Sequence, residues 1–124
     1  MLTIRRTNTI LYCERWSETV SFYRDGLRLP TTFENDWFVE FGLGGSAYLS
    51  VADQSRATIG AGHGAGLTLS WEVPDIVHSH RLLVEAGIDV SPIGRRWGAA
   101  TLDLFDPEHN RIELWSPGAV SEQR

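Results

Sequence analysis

A carboxylate, Glu113, stands between Ile112 and Leu114 in the run RIELW, inside a strand-like segment that could be purely apolar. A carboxylate so placed can ligate a cation, act as a general base or accept hydrogen bonds from a ligand. The histidines give it little company. His78 and His80 are two apart on a helix-patterned run, so their rings point to nearly opposite faces and cannot share a metal. His63 lies in a Gly-rich stretch without a periodic face. Cys13 falls on an apolar parity and reads as a buried thiol, not a nucleophile. The run GAGHGA from Gly60 matches a dinucleotide glycine pattern only superficially: a strand follows it, and a phosphate there would meet no helix N-terminus.

The elements that must position Glu113 follow from hydrophobic periodicity. NTILYCE reads as a strand, and RWSETVSFYRDGL as an amphipathic helix ending at Asp25, with Gly26 as its stop. RLPTTFE, DWFVEFGL and SAYLSVAD read as three strands, the last two joined by a glycine hairpin turn. After the connector, LTLSWEV is a strand and PDIVHSHRLLVEAGI a helix with Asp75 as N-cap and Gly87 as stop. DVSPIGRR, AATLDLF and RIELWS complete the chain as strands. The order β-α-β-β-β therefore occurs twice.

Strand alternation then sorts the residues. Leu11, Cys13, Leu49, Val51, Leu69, Trp71, Ile112 and Leu114 should pack under the helices. Asn8, Ile10, Tyr12, Tyr48, Ser50, Thr68, Ser70, Arg111, Glu113 and Trp115 should take the open faces. The parity of the third strand is ambiguous, because Glu40 complicates either assignment. Trp16 is expected to pack or to make a dimer contact, while Trp37, Trp97 and Trp115 are candidates to stack on a flat ligand.

A chain of 124 residues is expected to form a single domain over 1–124, with modules at about 7–52 and 66–116, a connector at 53–65 and a tail at 117–124. The net charge of -5 and the lack of a Lys/Arg-rich stretch argue against nucleic acid and anionic membrane, and favour neutral or cationic partners. One cysteine cannot form an internal disulfide, MLTIRRTNTI lacks a long apolar leader core, and no apolar run approaches membrane-spanning length. A cytoplasmic protein is expected.

The pieces SFYRDGLRL, VPDIVHSHRLLVEAGI and WGAATLDLFDPEHNRIEL, set in two β-α-β-β-β units, resemble the glyoxalase, bleomycin resistance protein and extradiol dioxygenase superfamily, the vicinal oxygen chelate fold. The last piece is the most specific, through its Trp-Gly, its Asp-Pro turn and its Ile-Glu-Leu. His109 departs from the glycine usual in that turn, and a positive φ there would strain it. The resemblance implies an α+β fold in which two βαβββ modules form curved mixed sheets around a cleft. In the superfamily's metalloenzymes the ligands, usually His or Gln, Glu, His and Glu, come from the first, fourth, fifth and eighth strands. Counting along this chain places those positions at Asn8, Tyr48, Thr68 and Glu113.

Only Glu113 is a strong ligand, so no metal and no other cofactor is expected. Metal-free members of the superfamily, typified by bleomycin resistance proteins, are homodimers that sequester a planar, cationic antibiotic. The resemblance therefore implies a homodimeric binder of a small, partly aromatic or cationic organic molecule, with no catalytic residue. Asn8, Tyr12, Trp37, Tyr48, Thr68, Trp97, Glu113 and Trp115 are its expected ligand-binding residues. The alternative is a lyase, isomerase or dioxygenase of the same fold, using a metal reached by His63 or His109, or Glu113 as general base.

Overall fold

The computed structural model describes residues 1–118, so the expected tail lies outside the described residues from 119 onward. The chain divides into two compact units, Met1–His63 and Gly64–Arg124, with the division inside the Gly-rich connector. Among the described residues no helix is long and apolar enough to cross a membrane.

The first unit runs β1 (Thr7–Cys13), α1 (Trp16–Ser21), β2 (Thr31–Glu34), β3 (Phe38–Gly44) and β4 (Ala47–Asp53). The second runs β5 (Thr68–Glu72), α2 (Ile76–Glu85), β6 (Gly94–Arg96), β7 (Ala99–Phe105) and β8 (Arg111–Pro117). Each forms a four-stranded mixed sheet of the same order, β1-β4-β3-β2 and β5-β8-β7-β6, in which the first and last strands of the unit pair in parallel. A parallel pair cannot be closed by a tight turn, and in each unit a helix and two further strands carry the chain back between the paired strands. The expected α+β repeat is present as two topologically identical sheets.

Alternation places the cores as expected. Leu11, Cys13, Val39, Phe41, Leu49 and Val51 are buried beside Val20 and Tyr23 of the first helical segment. In the second unit Leu69, Leu102, Leu104, Ile112 and Leu114 are buried, as are Ile76 and Leu83 of α2. The burial of Val39 and Phe41 resolves the third strand: Glu40 lies on the open face. Trp16 packs within its own unit, its indole N–H donating to the carbonyl of Val51 at 2.9 Å. Trp71 is half-buried on the expected parity.

Helix ends follow local chemistry. Asp75 caps α2, its Oδ1 accepting from the N–H groups of Val77 and His78 at 3.1 and 3.2 Å, and Gly87 reverses the chain at φ +76°. The first helix does not stop at Asp25. It continues from Phe22 to Gly26 in wider turns, with the Leu27 N–H donating to the Phe22 carbonyl, and the left-handed residue is Arg28 at φ +61°. The strand expected over 89–96 is reduced to β6. Ser91 exchanges hydrogen bonds with the backbone of Asp103, and then Pro92, which has no N–H to offer, interrupts the ladder.

The turn between β7 and β8 is organised by Asp106, which is buried. Its Oδ1 accepts from the N–H groups of Glu108 and Asn110, and its Oδ2 from the Asn110 side-chain amide, all at 2.8–2.9 Å. His109 sits in this turn at φ +66°, the strained conformation its position implied. Gly64 packs so closely on the turn that a Cβ there would lie 2.0 Å from the His109 carbonyl oxygen. His109→Gly should relieve the left-handed strain and raise stability by about 0.5–1 kcal/mol after the glycine's extra chain entropy is counted. Urea denaturation at fixed pH measures this, with an unchanged slope expected.

Candidate functional site

In the second unit three open-face residues stand side by side across adjacent strands: Ser70 of β5, Glu113 of β8 and Asp103 of β7. The Ser70 hydroxyl donates to Glu113 Oε1 at 3.1 Å. Arg96, at the end of β6, donates from Nη2 to both Asp103 oxygens at 2.9 and 3.1 Å, and the same nitrogen lies 3.4 Å from Glu113 Oε2. Arg111 Nη2 donates to Asp103 Oδ1 at 3.0 Å and lies 3.7 Å from Glu113 Oε2, while its Nη1 donates to the Thr68 hydroxyl at 3.0 Å. Two guanidinium groups and two carboxylates thus form one neutral network. All four side chains are partly covered, Glu113 most of all at 19% exposure.

Each guanidinium carries five N–H groups, and the contacts with Asp103, Thr101, Thr68 and Glu113 engage only part of that set. The face therefore suits a ligand that brings oxygen acceptors.

The open face of the first unit is built differently. Asn8 of β1 accepts from the Ser50 hydroxyl at 2.8 Å and donates from Nδ2 to Glu40 Oε2 at 3.3 Å. Thr32 donates to Glu40 Oε1 at 2.8 Å, and Arg6, just before β1, donates to Glu40 Oε2 at 2.8 Å. The Arg6 guanidinium also lies over the Tyr48 ring, 3.9 Å from its centre. The Arg6 hydrogen bond lowers the Glu40 pKa, opposed by burial and helped by Thr32 and by the arginine's charge.

The expected ligand-binding residues divide accordingly. Asn8 and Tyr48 occupy the first unit's face with Glu40, while Thr68 and Glu113 occupy the second's. Trp115 lies beside Glu72 and Thr101 on the open parity and is half-buried, and Tyr12 is half-buried on the parity of Asn8. Trp37 is not within the third strand. It precedes Phe38, stacks edge-on against that ring at 5.5 Å, and has the parity of Val39 and Phe41. Trp97 lies on no sheet face: with Gly98 it forms the β6–β7 turn, both at positive φ, and its ring is 98% exposed at the tip.

Asp103, Arg6 and Arg96 were not singled out from the sequence, and Glu40 was noted there without a face assigned to it. Alternation in TLDLF does put Asp103 opposite Leu102 and Leu104, and the buried pair Val39 and Phe41 likewise identifies Glu40. The two arginines lie outside or at the end of a strand, where alternation has no hold.

A metal does not fit the four residues that the resemblance placed at ligand positions, Asn8, Tyr48, Thr68 and Glu113. An amide, a phenol and a hydroxyl accompany one carboxylate, and Thr68 and Glu113 already answer guanidinium groups. Among the described residues no group of three or more His, Cys, Asp or Glu is placed to hold a metal ion. His63 pairs with Glu14 at 2.9 Å, and His109 is exposed in its turn.

No protein-family model matches the sequence, and no curated protein is significantly similar to it. Solved structures are. TnmS3, an antibiotic binding protein from Streptomyces sp. CB03234, superposes with a TM-score of 0.78 at 17% identity, over 95% of this chain and 99% of that one. A glyoxalase/bleomycin resistance protein/dioxygenase from Nocardioides gives 0.77 at 18% identity, over 95% and 86%. Lactoylglutathione lyase from Agrobacterium tumefaciens gives 0.72 at 18% identity, over 89% and 91%. The chain has the fold of the glyoxalase/bleomycin resistance protein/dioxygenase superfamily. Glu113, which the sequence resemblance placed at a ligand position of the metalloenzymes, is here a member of an arginine–carboxylate network.

The depressed Glu40 pKa has a consequence for acid stability. Its contribution is present above the ordinary carboxylate value and is lost as pH falls through the lower, folded-state value. Acidification through that range should therefore lower the melting temperature of the wild type more than that of Glu40→Gln. Thermal unfolding followed by circular dichroism from neutral pH to pH 3 measures the difference.

Proposed function

We propose that the protein binds a small, partly aromatic organic molecule without a metal, and that it acts as a homodimer in the cytoplasm to sequester an antibiotic-like compound. One observation carries this reading: the Glu113 carboxylate is committed to the Ser70 hydroxyl and to the guanidinium groups of Arg96 and Arg111. Positive charge that a metal would bring to this carboxylate is already supplied by the chain. A ligand reaching the face meets N–H donors in place of an open coordination position, and the half-buried indole of Trp115 next to them offers a flat apolar surface.

The likeness to TnmS3, described as an antibiotic binding protein, supports the same reading. Lactoylglutathione lyase has the same fold, so the fold alone does not choose between binding and catalysis. The choice rests on Glu113 and its partners.

Native mass spectrometry of the purified protein should give a dimer without stoichiometric metal. A panel of flat aromatic antibiotics should contain members that quench tryptophan fluorescence, and Arg111→Gln should weaken their binding about tenfold through loss of a charge-assisted hydrogen bond. Zinc, nickel or iron held tightly and required for turnover on a glyoxalase-type or catechol-type substrate would overturn the proposal.

A further inference from the structure

We propose that the open face of the first unit is a subsite for a guanidinium or amidinium group, and that Arg6 fills it from within the chain. The inference rests on reading the open faces as small-molecule surfaces, and it names the chemistry that one of them takes.

The receptor is built and its occupant is loose. Glu40 has only 13% of its side chain exposed, and Thr32 and Asn8 fix one oxygen each. Asn8 is in turn braced by Ser50, which is fully buried. The Tyr48 ring completes the arrangement with an aromatic face beside the carboxylate. A planar cation is recognised by this pairing, through charge-assisted N–H···O bonds at its edge and the ring quadrupole on its face.

Arg6 satisfies both contacts at once, yet its side chain is 51% exposed and it belongs to the irregular segment before β1. The backbone beside it is anchored, because the Thr7 N–H donates to the Ser46 carbonyl at 2.9 Å. Emptying the subsite therefore requires rotation of one side chain and no movement of the sheet.

An incoming amidinium would form the same two contacts that Arg6 gives up, so Arg6 acts as an internal competitor. Exposed ion pairs and exposed cation–π contacts are individually weak, and removing this competitor should raise affinity about tenfold. A ligand with a flat cation attached to an aromatic body would thus bind with the subsite partly blocked, and would be selected for its ability to outcompete an arginine.

Titration calorimetry with benzamidinium tests this on wild type, Arg6→Ala, Arg6→Gln and Arg6→Ala/Glu40→Gln, with benzoate as the anionic counter-probe and thermal unfolding to establish that each variant is folded. Both single variants should bind benzamidinium about tenfold more tightly than wild type, the gain should vanish with Glu40→Gln, and benzoate should show no such gain. Equal benzamidinium affinity in wild type and the Arg6 variants, or a gain that survives Glu40→Gln, overturns the subsite. If flat neutral aromatics still bind in that case, the broader small-molecule reading stands without it; if no aromatic binds any variant, both fall.

Discussion

In each unit the parallel pairing of the first strand with the last is the constraint on which the open face depends. It places β8 between β5 and β7, and β4 between β1 and β3, so that one residue of the central strand has a neighbour on either side. With Ile112 and Leu114 driven into the core by the cost of exposing them, Glu113 must stand on the opposite face. Register then makes Ser70 and Asp103 its neighbours. A slip of one residue would bury the carboxylate and expose both aliphatic side chains, which no local hydrogen bond could offset.

That register creates an electrostatic problem as well as a site. Asp103 and Glu113 are directly opposed across β7 and β8, and like charges in that relation repel. Arg96 and Arg111 resolve it by bridging the two carboxylates. The network is partly solvated, so its contribution to stability is modest, and losing a single arginine matters chiefly because two adjacent carboxylates are left to share one guanidinium. A metal ion at Glu113 would have to displace guanidinium groups that already balance the charge.

The fold and much of each face were legible in the sequence because both rest on period-two alternation and on caps with clear chemistry. Asp75 and Gly87 bound α2 as their types dictate, and the placement of Asn8, Tyr48, Thr68 and Glu113 on open faces follows from alternation with the apolar residues of their strands. What was not legible depends on where side chains reach. Arg6 has no strand of its own to set its parity, and Trp97 loses its parity because the two-residue turn it occupies carries it beyond the sheet. Net charge favoured neutral or cationic partners without revealing that the chain's own arginines already answer the open-face carboxylates.

Those internal cations change what the net charge of -5 means for recognition. Arg6 balances Glu40 on one face, and Arg96 with Arg111 balances Asp103 and Glu113 on the other, so neither network carries an excess of its own. Long-range attraction of a cation by the whole protein therefore ends, at short range, in an exchange of partners. A ligand that breaks a guanidinium–carboxylate contact must replace it with one as good, since an abandoned, partly buried charge is costly. Recognition on these faces is consequently a test of hydrogen-bond geometry: acceptors where the arginines have N–H groups to spare, and a flat cation where Glu40 and Tyr48 already hold one.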